Sequence, residues 1–422
     1  MPELSWPTKA QPEPREAELR PDSIIYPQGV GYPDQPIPNH LILGDNLAAM
    51  WALLPEFTGQ IDLIYADPPF FSNRRYPARV GRGEDSRRPS EWRLVEGYPD
   101  AWPDPDSYLD MLYPRLVLMH RLLSPTGSLY LHLDWHASAY ARLLLDEIFG
   151  SERLLNEIVW VYHGPSPIRS AFNRKHDTIL VYTRGPEYTF NVDAVRTPYD
   201  PSTVKTFASS PKAGFGKVPD LKRGKVPEDW WYFPVVARLH RERSGYPTQK
   251  PEALLERVIL ASSNPGDLVA DFFCGSGTTP VVARRLGRRY LAADVTWRAV
   301  HTTRIRLLHG TDQPFSIQEV QQSEGRPDRA IRLSSLESTY LHFDSQTSLL
   351  TLEAESLPEL DYWEVDPAWD GRLFRSAAQA LRPRRKGDLP RSLQLPSGSG
   401  SQTICTRLVG VNGEQFQIVI EG

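Results

Sequence analysis

Short apolar runs alternate with helix-length amphipathic stretches through the middle of this chain, and that alternation leaves few architectures open. A strand that is apolar on both faces must be covered on both faces, and helices between such strands supply the cover. The result is an α/β fold with a parallel sheet. The candidate strands are Leu41–Leu43, Ile61–Tyr65, Ser128–Leu133, Glu157–Val161, Thr178–Tyr182, Leu268–Ala270 and Tyr290–Ala292. The candidate helices are Asn46–Leu54, Tyr108–Leu123, His136–Ile148, Pro251–Ser262 and Thr278–Leu286. In the fourth, Leu254, Leu255, Val258 and Ile259 form one stripe, and Pro251 suits the first helical position.

The rest of the chain reads differently. Residues 1–38 are rich in proline and are expected to form an irregular N-terminal arm. Between Gly185 and Arg243 periodicity is poor and Pro, Gly and Lys are abundant, so 185–243 reads as an insertion. From about residue 315 onward the runs become β-like (Thr347–Leu352, Gln417–Ile420), which predicts a small β-rich domain over 315–422. Two cysteines, Cys274 and Cys405, exclude a disulfide framework and a Cys-rich zinc site. No metal site is evident: His132 and His136 straddle a strand-to-helix junction and need not share a face. No apolar run is long enough to span a membrane, and the expected location is cytoplasmic.

Net charge is −4, but its distribution matters more. Residues 201–250 hold ten Lys/Arg against four Asp/Glu, and 70–90 hold six Arg (74, 75, 79, 82, 87 and 88) against two acids. Residues 311–422 hold eleven Lys/Arg and sixteen Asp/Glu. The body therefore carries basic segments of the kind a phosphate backbone requires.

Two loops carry candidate chemistry. Asp271-Phe-Phe-Cys-Gly-Ser-Gly-Thr-Thr279 follows an apolar strand and opens a helix, where small residues let backbone approach a ligand and free N–H groups point outward. Asp294 ends the next strand, near the ~20-residue spacing at which an acid meets a ribose hydroxyl. Neither the dinucleotide GxGxxG nor a P-loop is present, so a nucleoside-bearing ligand without a pyrophosphate fits better. The second loop is Tyr65-Ala-Asp67-Pro68-Pro69-Phe70. Its two prolines have no N–H, so the Asp carboxylate and nearby carbonyls offer acceptors only, beside an aromatic ring. That suits an amino group on a flat ring.

Together these loops resemble the amino-methyltransferases of DNA, which methylate adenine N6 or cytosine N4 with S-adenosyl-L-methionine. Gly44-Asp45-Asn46, His132-Leu-Asp-Trp135, Glu147-Ile-Phe-Gly150, Asn156-Glu-Ile-Val-Trp160, His176-Asp-Thr-Ile179 and Tyr246-Pro-Thr-Gln-Lys-Pro-Glu252 match in order. The likeness spans roughly 40–310. The catalytic loop precedes the Gly-rich loop, as in the permuted β group. The resemblance implies a doubly wound, seven-stranded Rossmann-like sheet, mostly parallel with one antiparallel strand, over 39–310, with 185–243 as a DNA-recognition insertion.

It also implies roles. Asp271, Phe273, Gly275 and Gly277, with Thr278 after them, would cradle the methionine part of the cofactor. Asp294 would bind the ribose hydroxyls and Asp45 contact the adenine end, while Thr248 and Lys250 lie on the segment closing over the methionine moiety. Asp67 and the Pro68 carbonyl would accept the target amine hydrogens in a loop stiffened by Pro69, and Phe70 would stack on the base. Tyr65 is left as a packing residue. The expected macromolecular partner is double-stranded DNA, contacted by an Arg-rich segment after the catalytic loop (Arg74, Arg75) and by Lys222, Arg223 and Lys225 beside Trp230-Trp231-Tyr232-Phe233. A cognate restriction subunit and a homodimer are compatible with the resemblance.

A carbon-5 cytosine enzyme is disfavoured: that chemistry needs a cysteine nucleophile, which in the carbon-5 family stands next to a proline, and neither cysteine here follows one. By the same resemblance, Asp67 at the head of the Pro-Pro motif favours adenine N6, with cytosine N4 as the alternative. Methylation of RNA or of protein glutamine, and a non-catalytic DNA-binding subunit, fit less well.

Overall fold

The computed structural model describes residues 3–27, 36–81, 92–165, 168–209, 220–237, 240–309, 313–322, 333–353, 357–383, 388–396 and 403–421. Arg82, Arg87 and Arg88, and residues 384–387 and 397–402, lie outside them. In chain order the first strands are β1 (Ala17–Ile25), β2 (His40–Leu43), β3 (Ile61–Ala66), β4 (Arg74–Gly81), β5 (Trp92–Asp100) and β6 (Leu123–Leu133). β7 (Leu154–Val161), β8 (His176–Thr183), β9 (Trp230–Tyr232), β10 (Leu268–Asp271), β11 (Arg289–Asp294) and β12 (Phe315–Gln322) follow. The helices are α1 (Asn46–Phe57), α2 (Pro105–Leu122), α3 (Ser138–Phe149), α4 (Pro201–Ser209), α5 (Glu252–Ser262), α6 (Thr278–Arg285) and α7 (Trp297–Leu308). Pro251 proves to be the N-cap of α5, one residue earlier than expected.

Seven strands form the centre of one sheet in the order β2-β11-β10-β3-β6-β8-β7, with β8 antiparallel to both neighbours. Buried side chains of α1, α2 and α3 pack on one face and those of α5, α6 and α7 on the other, so the sheet is doubly wound. The sheet is wider than the seven strands expected. β9 adds to the β7 edge, and β12, β1 and β17 (Phe374–Ser376) extend the β2 edge, giving eleven strands among the described residues.

The N-terminal arm is therefore not irregular throughout. β1 pairs antiparallel with β12, and Pro21, which cannot donate to a ladder, sits where the register slips between Pro21 and Ser23. Upstream, the Trp6 indole N–H donates to Asp110 at 2.6 Å and Lys9 pairs with Glu147 at 2.8 Å, which ties the arm to α2 and α3.

β12 likewise belongs to the main sheet, so 315–322 is not the start of a separate domain. Beyond it come β13 (Ser334–Ser335), β14 (Leu341–Asp344), β15 (Leu349–Leu352), β16 (Leu360–Asp366), β17 (Phe374–Ser376), β18 (Ala378–Leu381), β19 (Ser392–Gln394), β20 (Ile404–Gly410) and β21 (Gln415–Ile420). These build a five-stranded and a three-stranded sheet around their own apolar cluster, while β17 crosses over to pair with β1. The unit is fixed to α7 by His301–Asp361 at 3.2 Å and the buried Arg304–Glu364 pair at 3.1 Å.

Candidate active site

The strand order reverses between β10 and β3. Chain leaving β10 winds through α6 to β11, and chain leaving β3 passes through α2 to β6. Open α/β sheets form their ligand crevice at such a switch point, outside the carboxyl ends of the strands. Pairing of Ala270 with Ile64, and of Asp294 with Leu43, brings the loops after β10, β3, β11 and β2 to one place although more than 200 residues separate the first two in sequence. They line a cleft of about 1260 Å³. That exceeds the ~300–1,000 Å³ usual for one small ligand.

Of the residues expected at the site, Asp45, Asp67, Pro68, Pro69, Phe70, Thr248, Lys250, Asp271, Phe273, Gly275, Thr278 and Asp294 all line this cleft. Gly277 stands behind it. Its φ of +74° places it in the left-handed region, and a Cβ there would lie 2.4 Å from Thr303 Oγ1 on α7. Glycine is required for loop-to-helix packing. Gly275, at φ +50°, would bring a Cβ to 3.3 Å from the Tyr246 ring.

The carboxylates divide their work. Asp271 accepts from Thr279 Oγ1 at 2.5 Å and the Phe273 N–H at 3.0 Å, which shapes the Gly-rich loop from within. Burial pushes its carboxyl up to about 7. Asp294 accepts from the Gly275 N–H at 3.0 Å and from Thr296 N–H and Oγ1 at 2.8 and 2.9 Å. Asp45 caps α1 through the Ala48 N–H and pairs with Arg115 at 2.6 Å. Acidic groups beside small residues and a helix start match a ligand with a cationic methionine end and a ribose diol, so the residues present fit S-adenosylmethionine.

A folded-state value near 7 has a consequence for stability. Between about pH 4 and 7 the folded chain keeps a proton on Asp271 that the unfolded chain has released, so this group's contribution to stability falls as pH rises through that window. Thermal melts from pH 5 to 8 should show the melting temperature of wild type declining relative to that of Asp271→Asn. Parallel profiles would remove Asp271 as the cause.

Asp67 sits at the end of β3 with its carboxylate split. Oδ2 pairs with the Lys250 ammonium, and Oδ1 is buried with no hydrogen-bond partner among the described residues. Lys250, itself buried, also places its ammonium 5.2 Å from the centre of the Phe70 ring. Its side chain thus lies on the Asp67 loop, not on the Gly-rich loop; only its carbonyl reaches that loop, by accepting from Thr278 Oγ1 at 3.1 Å. Thr248, at φ +54°, bonds Tyr98 at 2.9 Å. Phe70 stacks against His132 at 5.8 Å. His132 bonds Tyr65 at 2.7 Å and Asp177 at 3.2 Å, so Tyr65 is the base of a buried polar network rather than packing alone.

Several residues of the site carry no local sequence signal. The Tyr108 hydroxyl donates to the Pro69 carbonyl at 2.9 Å, and Asp100 accepts from the amides of Phe70, Phe71 and Ser72. The hairpin β4–β5, which presents the exposed Arg74 and Arg75, also touches the opposite wall through Arg79 N–H to the Gly245 carbonyl at 3.1 Å.

In the insertion, Trp231 is buried beneath Arg257 at 5.1 Å, an anchor of β9, whereas Trp230 and Tyr232 point outward. Lys222 is exposed, but Arg223 pairs with Asp193 at 2.8 Å and Lys225 with Glu228, so two of the three expected DNA cations are engaged within the fold. Burial pushes the Cys274 thiol well up, the opposite of what a nucleophile requires.

A family model described as DNA methylase, covering adenine-N6 and cytosine-N4 enzymes, matches residues 61–304. The DNA adenine methyltransferase YhdJ of Escherichia coli is 33% identical over 259 residues, 60% of this chain and 78% of that one. The type II methyltransferase M.HpaI of Haemophilus parainfluenzae is 31% identical over 248 residues, 58% of this chain and 68% of that one. The chain belongs to the N6/N4 family of DNA methylases. Among the described residues, no helix is long and apolar enough to cross a membrane.

Proposed function

We propose that this chain methylates the exocyclic N6 amine of adenine in double-stranded DNA, with S-adenosylmethionine as donor. The observation that carries this reading is Asp67, which lines the cleft with Phe70 and the Gly-rich loop and whose Oδ1 is a buried acceptor with no partner among the described residues. A buried unpaired oxygen is costly to a fold, and a donor from substrate would satisfy it.

When bound, S-adenosylmethionine supplies an electrophilic methyl group on a sulfonium. The protein supplies everything else. An aromatic amine is a poor nucleophile because its lone pair is delocalised into the ring. Asp67 Oδ1 and the Pro68 carbonyl accept its two hydrogens and draw the nitrogen toward a pyramidal shape, which restores the lone pair. Tyr108 already occupies the Pro69 carbonyl, which leaves that of Pro68 for the amine. Lys250 holds Oδ2, so Oδ1 is the oxygen presented. Phe70 offers a face for the base, and holding both reactants in one cleft makes the transfer effectively unimolecular. The amine is inaccessible inside a duplex, so the base must leave the stack; the cleft volume leaves room for a base beside the cofactor.

Adenine is preferred over cytosine N4 because Asp67 heads the Pro-Pro motif and YhdJ, a relative, is named an adenine enzyme. A restriction nuclease cutting the same sequence is the protein partner this activity would serve. Expressed in a host without adenine methylation, the chain should place modified adenines in one sequence context when the genome is sequenced with modification detection. An unmodified genome from a host making folded protein would overturn the proposal.

The ion pairs in the insertion change what its cations are worth. Neutralising Lys222, Arg223 and Lys225 together should lower the salt slope of DNA binding by about 0.9, the share of one phosphate contact, and not by the roughly 2.7 of three. A fall near 2.7 in a salt titration would mean that Arg223 and Lys225 exchange their carboxylates for phosphates.

A further inference from the structure

We propose that Asp100 is a positioning residue for methyl transfer, acting through the backbone that carries Phe70. Asp100 is the last residue of β5, thirty positions from Phe70, and only 1% exposed. Its carboxylate takes five donors. Oδ1 accepts from the Phe71 N–H at 3.0 Å and the Trp102 indole at 2.9 Å. Oδ2 accepts from the Phe70 N–H at 3.1 Å, the Ser72 N–H at 2.8 Å and Ser72 Oγ at 2.6 Å.

Three consecutive amides of the Asp67 loop converge on this one carboxylate. Successive N–H groups curled around an anion form a concave nest. The curl has a cost: Phe71 at φ 65° and Asn73 at φ 55° adopt the left-handed region that side chains other than glycine rarely occupy. Such a conformation persists only where its surroundings over-determine it. Here they do so with one buried acid and with Asn73 Oδ1, which accepts from the Trp102 N–H at 3.0 Å. If the carboxylate is lost, three amides are left unsatisfied and the segment is free to relax to negative φ. The Phe70 ring would then lose its place between His132 and the Lys250 ammonium. With both oxygens committed to the loop, Asp100 acts on the reaction through Phe70.

This inference rests on the amine-methylation reading above. Asp100→Asn is the near-isosteric test: it turns one acceptor oxygen into an NH₂ group that faces N–H donors. Single-turnover and steady-state transfer of labelled methyl groups to adenine-unmethylated genomic DNA would be measured, with S-adenosylmethionine binding followed by calorimetry. Rates would be normalised to the concentration of cofactor-binding sites, so that a merely less stable protein is not mistaken for a slower one. The expected result is kcat per site lower by about tenfold or more, KM for DNA within about threefold, and cofactor affinity within about twofold. An unchanged kcat per site overturns the role, as does a loss confined to KM or to cofactor affinity. Should Asp100→Asn fail to fold, the double variant Ser72→Ala/Trp102→Phe strips two of the five donors and leaves the carboxylate. A fall of about threefold in kcat with KM unchanged is then expected, and no fall overturns the role. Folded wild type that transfers no methyl to this DNA would overturn the amine-methylation reading itself, and the role of Asp100 with it. Active wild type with an equally active Asp100→Asn removes only the role of Asp100.

Discussion

Asp67→Ala should bind S-adenosylmethionine almost as wild type does and lose nearly all methyl transfer. The side chain turns one oxygen to Lys250 and leaves the other buried and, among the described residues, unpartnered, and the Gly-rich loop is held by other contacts. Removing an interaction made with the reacting amine should lower kcat and kcat/KM together. A loss of about 10²–10³-fold is in line with removal of a single preorganised electrostatic contact to a reacting group. The substitution also strands the buried Lys250 ammonium, and an uncompensated buried charge costs several kcal/mol, so folded fraction must be measured alongside rate. Wild-type turnover in the folded variant would take Asp67 out of the mechanism.

Gly277→Val should have the complementary phenotype, with cofactor affinity lost. From the sequence, the reason is that a branched side chain occupies space the cofactor or backbone needs. The structure relocates the obstruction. A Cβ at this position meets Thr303 Oγ1 at 2.4 Å and Cγ2 at 2.5 Å, so the loop must move away from α7 before any side chain fits. Left-handed backbone adds roughly 1–2 kcal/mol for a residue with a Cβ. The shifted loop carries the Gly275 amide that Asp294 holds, so the cofactor wall fails as a unit. Calorimetry should show affinity reduced by at least about tenfold in protein that still has its secondary structure. Unchanged affinity would sink the assignment of this loop to the cofactor.

How legible the molecule is in its sequence depends on whether the signal is local. The seven central strands are short, mainly apolar runs and all are present, although β6 begins at Leu123, ahead of the expected Ser128. The hairpin β4–β5 is not legible, because Pro77 interrupts it at the point where the register slips between Tyr76 and Ala78, and its arginines read as loop. β1 hides behind Pro21 for the same reason.

At the site, residues on motifs arrive in the cleft together because β10 and β3 are neighbours, a pairing that the order of motifs along the chain does not display. Asp100 and Tyr108 carry no motif, since their partners are backbone atoms 30 and 39 residues away. Lys250 is found by its segment, but the segment does not display that its side chain pairs with Asp67 while its carbonyl accepts from Thr278 of the Gly-rich loop. Charge counting finds Arg223 and Lys225 but not the carboxylates that pair with them, Asp193 and Glu228.

The identity of the modified base is the most direct test. The acceptor pair at Asp67 and Pro68 would serve either exocyclic amine, so the base is decided by the pocket around the rest of its edge. Unmethylated DNA incubated with the protein and S-adenosylmethionine, digested to nucleosides and resolved by mass spectrometry, should yield N6-methyladenine. N4-methylcytosine without N6-methyladenine would contradict the adenine assignment, and neither product from folded, cofactor-binding protein would contradict the account of the site as a whole.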